Sequence, residues 1–164
     1  MNDAAPKEAV PLDEQQAIAT TFLEGLVAGF GTQAEVTTAM EDDVIIASVS
    51  GSDDLGLLIG PRGGTLRAIQ ELSRSAVQRQ TDGRETNRLM VDVAGYRERR
   101  RAALAEFAQR QAEQVKAEGI ELSLEPMGSA DRKAIHDAVM EIDGVKSTPE
   151  GDDPHRRVVL LPDD

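Results

Sequence analysis

The segment that most limits how this chain can fold is residues 57–72, which read LLIGPRGGTLRAIQEL. A short apolar run, a Gly-x-x-Gly turn and an amphipathic helix follow one another without a spacer. Glycine at Gly60 and Gly63 lets a second backbone approach closely, because no Cβ stands in the way. The amides opening the next helix then face outward, a favourable place for a phosphate. Arg62 adds a fixed positive charge with the two-pronged geometry that suits phosphate. Gly64 and Arg67 continue the same surface. Pro61, inside the turn, has no N–H to donate, which leaves one amide fewer and weakens the grip.

Periodicity organises the rest of the first half. Residues 1–12 carry Pro6 and Pro11 and little pattern, and read as a flexible tail. Asp13 with Gln16 resembles a capping box, ahead of an apolar stripe at Ile18, Phe22, Leu26 and Phe30. Gly29 and Gly31 stop that helix. Residues 33–40 and 44–50 read as strands joined by the acidic loop 41–43. The run 55–59 ends at Gly60-Pro61, and a helix over 65–80 turns Leu66, Ile69, Leu72, Ala76 and Val77 inward. Asp82-Gly83 marks a turn before a strand at 88–93.

A second module begins near Gly95. The spacing predicts a long helix over 96–118, with Leu104, Phe107, Ala108, Ala112 and Val115 on one side and Gly119 as its stop. A strand at 120–125 follows, then a helix capped by Ser129 that carries Ile135, Val139 and Ile142. Two last strands, 145–148 and 156–161, flank the turn-rich 149–154. The halves show no internal repeat, so two small α+β modules are the economical reading.

Composition narrows the function classes. The 164 residues and 40% hydrophobic content support one ordinary domain or two small ones. There is no cysteine, hence no disulfide, thiolate zinc site or cysteine nucleophile. No secretory signal or membrane-spanning run is present in the sequence, so a cytoplasmic protein without membrane insertion is expected. The net charge of −12 speaks against nucleic acid until it is divided. Residues 1–54 set Lys7 against eleven acids, and residues 102–164 set seven bases against fourteen. Residues 55–101 hold ten arginines and five acids, a local excess of +5 around the glycine turn. A local stripe governs phosphate contact more than the total does. The acidic flanks predict modest affinity with clear salt dependence.

In the second module Arg132 and His136 lie four apart and share a helical face, about a quarter turn from the Ile135/Ile142 side. Arginine can grip phosphate and a neutral imidazole can meet a base. The plainer reading is a boundary histidine satisfied locally. Lys133 sits beside them, and of the adjacent Arg156 and Arg157 at most one reaches the ligand of His136, because a strand turns them to opposite faces. The run Arg97, Arg99, Arg100 and Arg101 reads either as a solvated face or as a phosphate-contacting hinge. Arg67 and Arg74 share a face that Glu71 partly neutralises.

The order helix, strand, strand, short helix, helix, strand, with the glycine turn between the helices, resembles the prokaryotic (type II) KH domain. Modules of that kind clamp roughly four nucleotides of single-stranded RNA. Pro126-Met127, the run 131–138 and His155 to Val159 look like the nucleic-acid-binding domain named for its Arg-x-x-x-His element. The two in this order resemble the bacterial Jag family, also called KhpB or EloR, over roughly residues 15–161. That resemblance implies an α+β chain with a tail at 1–12, a type II KH domain at 13–94 (three-stranded sheet, helices on one face) and a small α+β Arg-x-x-x-His domain at 95–164. It implies cytoplasmic RNA binding, a small single-KH partner (KhpA-like), and post-transcriptional control linked to cell elongation and division. The site residues it carries are Gly60, Pro61, Arg62, Gly63, Gly64, Arg67, Arg132, Lys133, His136 and Arg157. Some members have a further N-terminal Jag domain, and only a short tail precedes the KH part in this sequence.

Two functions remain open on these residues. One is non-catalytic binding of single-stranded RNA, with single-stranded DNA as an alternative ligand. The other is a scaffold whose degenerate KH fold pairs with another KH protein or with a second copy as a homodimer. Catalysis has no support, since the serine-hydrolase, zinc-protease, Walker A and Rossmann signatures are missing from the sequence. No cofactor and no metal is expected. The four aromatics, Phe22, Phe30, Tyr96 and Phe107, all fall on or beside predicted helices, which argues against base stacking on a sheet.

Overall fold

The structure, a computed structural model, describes residues 9–163. It is α+β throughout and divides between Tyr96 and Arg97 into two compact units. The expected tail falls mainly on residues 1–8, outside the described residues. At its end Val10 is buried, and its amide donates to the Glu85 carbonyl at 3.2 Å.

The first unit runs α1 (Leu12–Gly29), β1 (Glu35–Glu41), β2 (Val44–Ser50), α2 (Gly56–Ile59), a 3-10 turn at Pro61–Gly63, α3 (Gly64–Gln80) and β3 (Arg88–Val93). Its sheet has the order β1-β2-β3, with β1 antiparallel to β2 and β2 parallel to β3. The β1–β2 hairpin closes on the pair Glu41↔Val44. Asp42 and Asp43 both take positive φ, 45° and 63°, the twist a two-residue hairpin demands and one that aspartate tolerates. Strand alternation turns Ala47, Val49, Val91 and Val93 to one face, where Leu23, Val27, Leu66 and Ile69 of α1 and α3 cover them.

Three local expectations are corrected. The Asp13/Gln16 capping box does not form: the cap is Pro11, with no side-chain bond, and Asp13 lies inside the first helical turn. The buried line of α1 is Gln15, Ala19, Leu23 and Val27, while Ile18, Phe22 and Leu26 flank it and Phe30 is exposed. Both rows repeat every four residues on adjacent strips of the helix, so periodicity alone does not choose between them. On α3, Leu72 is 54% exposed and Ser73 takes the buried position, its hydroxyl donating to the Ile69 carbonyl at 2.8 Å.

The second unit contains α4 (Tyr96–Glu118) from Arg97 onward, β4 (Leu122–Ser123), α5 (Ser129–Met140), β5 (Val145–Glu150) and β6 (Arg157–Pro162). Its sheet is antiparallel with β6 central, in the order β4-β6-β5. Leu104, Ala108, Ala112 and Val115 of α4 join Ile135 and Val139 of α5 against Leu124, Val145, Val158 and Leu160. The cap of α5 is Gly128, and Ser129 is its first helical residue, one position later than expected. Pro149 extends β5 instead of turning the chain, which an edge strand permits.

Candidate nucleic-acid interface

In the first unit the glycine turn is rigidly specified. Gly60 ends α2 at φ 69°, ψ 177°, a conformation closed to side-chain-bearing residues. Arg62 (φ 51°, ψ 30°) and Gly63 (φ 71°, ψ 20°) are consecutive left-handed residues, and Gly63 caps α3. A Cβ on Gly60 would stand 2.1 Å from Thr65 Oγ1, and one on Gly63 would stand 2.8 Å from the Tyr96 ring. Both bare α-carbons are therefore used by the chain's own packing. Gly64 is different: a Cβ there meets nothing within 4 Å.

The turn also spends most of its amides internally. Gly60 donates to the Gly56 carbonyl at 2.9 Å and Gly63 to Gly60 at 3.2 Å, while the Gly64 amide bonds the Pro61 carbonyl. Proline supplies none. The outward amide cradle expected from sequence is correspondingly thin, and cationic chemistry passes to Arg62 and Arg67, both exposed. Arg74 is held by Glu71 at 2.9 Å on the exposed side of α3, so Glu71 neutralises that end of the face.

In the second unit the Arg-x-x-x-His pair separates into two roles. Arg132 is 8% exposed. Its Nη1 donates to the Met127 carbonyl at 2.7 Å and to Asp153 Oδ1 at 2.8 Å. The Met127 amide in turn donates to the Arg156 carbonyl at 3.1 Å, so this guanidinium ties the 126–127 segment to the turn ahead of β6. His136 is half-buried, with Nδ1 2.6 Å from Ser147 Oγ on β5. Burial lowers its pKa below the usual 6.5; the charges of Arg132 and Arg156 add to the lowering, and Asp137 opposes it. The imidazole is neutral at physiological pH, and its Nε2 is left for a ligand.

Lys133 pairs with Asp137 one turn along the exposed side of α5. Arg157 lies elsewhere. It pairs across the hairpin with Glu150 at 3.1 Å, on the sheet face opposite Ser147, Val158 and Leu160. Alternation gives Arg156 the His136 side, and its charge is felt there. Of the adjacent pair, Arg156 and not Arg157 is the cation nearer the imidazole. Sequence reasoning missed Ser147 and Asp153; neither stands at a spacing that announces it. Of the arginine run, Arg100 bonds Asp131 at 2.9 Å and Arg101 bonds Glu98 at 2.8 Å, so much of its charge is locally compensated.

Among the described residues no cluster of three or more histidine or acidic side chains could hold a metal ion, and no helix is long and apolar enough to cross a membrane.

The domain family named for the Arg-x-x-x-His element matches residues 102–162. The RNA-binding protein KhpB of Lactiplantibacillus plantarum is 41% identical over 105 residues, 64% of this chain and 32% of that protein. KhpB of Clostridium symbiosum is 36% identical over 108 residues, covering 66% of this chain and 48% of the relative. KhpB of Bacillus subtilis is 32% identical over 121 residues, 74% of this chain and 57% of the relative. The chain thus spans about a third to somewhat over half the length of these relatives.

Proposed function

We propose, from a Jag-family relationship that covers about two thirds of the chain and an Arg-x-x-x-His domain at residues 102–162, that this protein binds single-stranded RNA without catalysis. The first unit is read as a type II KH domain, and the second as the Arg-x-x-x-His domain that accompanies it. Supporting the KH reading are the order α-β-β-α-α-β, the β1-β2-β3 sheet and the left-handed pair Arg62-Gly63 between two helices. The observation that carries the function is this turn beside the exposed Arg62 and Arg67, in a chain whose relatives are named for RNA binding. A cytoplasmic regulator acting after transcription, linked to cell elongation and division, is the role that follows.

In this reading Arg62, Arg67 and Gly64 present the open side of the turn to RNA, and His136 with Arg156 presents the second surface. Arg132 serves as support for that surface, and Arg157 belongs to a different face.

The test leaves both structural glycines intact. In a Pro61→Asp/Arg62→Asp variant two carboxylates replace the ring and the cation, and aspartate tolerates the left-handed geometry at 62. Fluorescence anisotropy with single-stranded RNA is expected to report at least tenfold weaker binding for this variant, and a fall in wild-type affinity as salt rises. Unchanged affinity would remove the KH turn from the interface.

A second reading has a specific observation behind it. With the Gly60, Gly63 and Gly64 amides engaged internally, the first unit suits a role in pairing with a small single-KH protein or a second copy. Wild-type protein that pairs with such a partner yet binds no RNA would favour it.

A further inference from the structure

A cavity of about 340 Å³ opens at the C-terminal end of α5, lined in part by Met140, Ile142, Asp143, Lys146, Ser147 and Asp163. Its size is at the lower end of the roughly 300–1,000 Å³ typical of small-molecule sites, room for one base and not a dinucleotide. We infer that this cavity takes a single unstacked guanine of bound RNA, with Asp143 reading its Watson–Crick edge. The inference rests on the RNA-binding reading and extends it to a base-selective subsite.

The lining decides the ligand class. Met140 is 80% exposed, an unusual position for a large apolar side chain, and with Ile142 it offers a polarisable surface to the flat face of a ring. The polar lining is mainly acceptor. Asp143 and Asp163 contribute carboxylates, and the last carbonyls of α5 add partial negative charge. Such a site repels phosphate and favours N–H donors. Lys146 already bonds Asp163 at 3.0 Å, and the Asp163 amide donates to the Gly144 carbonyl at 3.0 Å, so that carboxylate is committed. Asp143 remains to receive the ligand. Among the four bases guanine alone presents two adjacent donors on its pairing edge, and a carboxylate accepts them as a pair.

The cavity is also joined to the site already described. Ser147 lines it while its hydroxyl meets His136, and the charge of Arg156 reaches the same imidazole. A nucleotide placed here has its base among acceptors and its phosphate toward the cationic side. That division of charge matches the ligand's own.

The experiment compares octauridine with the same oligomer carrying one central guanine, each titrated against the full chain by fluorescence anisotropy. Wild type is expected to bind the guanine oligomer about tenfold tighter, the size of one bidentate charged contact. Asp143→Asn should erase that preference and leave octauridine binding unchanged; Met140→Ala should reduce it. Both side chains stand at the surface, so neither change threatens folding. Equal wild-type affinities overturn the inference while the RNA-binding reading stands. A guanine preference that survives both substitutions locates the reading elsewhere and also overturns it. Binding of neither oligomer removes the RNA-binding reading and the subsite together.

Discussion

Arg132 and Asp153, twenty-one residues apart in sequence, meet at 2.8 Å with the arginine buried and the aspartate 67% exposed. The asymmetry decides what each contributes. Removing the guanidinium strips the Met127 carbonyl of its donor and empties a packed position. Removing the carboxylate loses one solvent-screened partner. Arg132→Ala is therefore expected to cost about 2 kcal/mol of stability, since a bond to a charged group and buried stem packing go together. Asp153→Ala should cost less than about 1 kcal/mol, as exposed pairs do. Urea unfolding of the two variants checks this, and equal losses would deny Arg132 its supporting role.

The three glycines of the turn should respond differently to the same methyl group. Gly60→Ala and Gly63→Ala each force a left-handed backbone and a collision, with Thr65 and with Tyr96 respectively. A loss of roughly 1–3 kcal/mol is expected for each. Gly64 has helical φ −62° and open space, so Gly64→Ala is expected to stabilise by about 0.5 kcal/mol through lower chain entropy. Thermal unfolding midpoints that move together for all three would contradict this separation. The contrast has a practical side: loss of RNA binding in a Gly60 or Gly63 variant reports a damaged turn, whereas loss in Gly64→Ala reports the interface.

Much of this architecture is legible before any coordinates. Residues 88–93 and 96–118 become β3 and α4 with the same limits, because alternation in one and a four-residue apolar row in the other are uninterrupted. The family relationship was legible too, from residues 57–72 and 131–138 together, and the KhpB relatives and the match at residues 102–162 support it. What hides is polar burial. Gln15 lies in the core because its Nε2 donates to the Val10 carbonyl at 2.7 Å and its Oε1 accepts from the Asn87 amide at 2.8 Å. Those partners come from distant segments, and no local pattern names them. The same holds for Ser147 beside His136. Arg132 escapes for a related reason: helical spacing gives the direction of a side chain, but the depth of its surroundings depends on the 126–127 and 151–156 segments folding over it.

Acid should weaken this protein partly through one histidine. His136 titrates below its ordinary 6.5 when folded, so between that lowered value and 6.5 the unfolded chain holds more protons. Its contribution to stability is whole above about pH 6.5 and is lost as pH falls below it. Wild type is expected to melt at a lower temperature at about pH 5.5 than at about pH 7.5. His136→Gln keeps a polar group near Ser147 without the titration, and should show a shallower decline. Parallel decline in the two proteins would assign the acid sensitivity to carboxylates alone.

The edge of the first sheet gives the last expectation. β3 is an outer strand, and an open row of amides and carbonyls invites pairing with another chain. Gln70 of α3 closes it: Nε2 donates to the Leu89 carbonyl at 2.6 Å, and the Val91 amide donates to Oε1 at 2.8 Å. One side-chain amide thus imitates a neighbouring strand at two alternate residues. Gln70→Ala leaves a half-buried donor and acceptor without this partner and opens the edge. A loss of about 1–3 kcal/mol is expected, together with faster amide exchange at Val91 and a concentration-dependent rise in light scattering on warming. Gln70→Glu keeps the acceptor for Val91 but sets a carboxylate against the Leu89 carbonyl, so its stability should fall nearly as far. If instead Gln70→Ala unfolds like wild type with Val91 exchange unchanged, the edge is protected by something other than this amide.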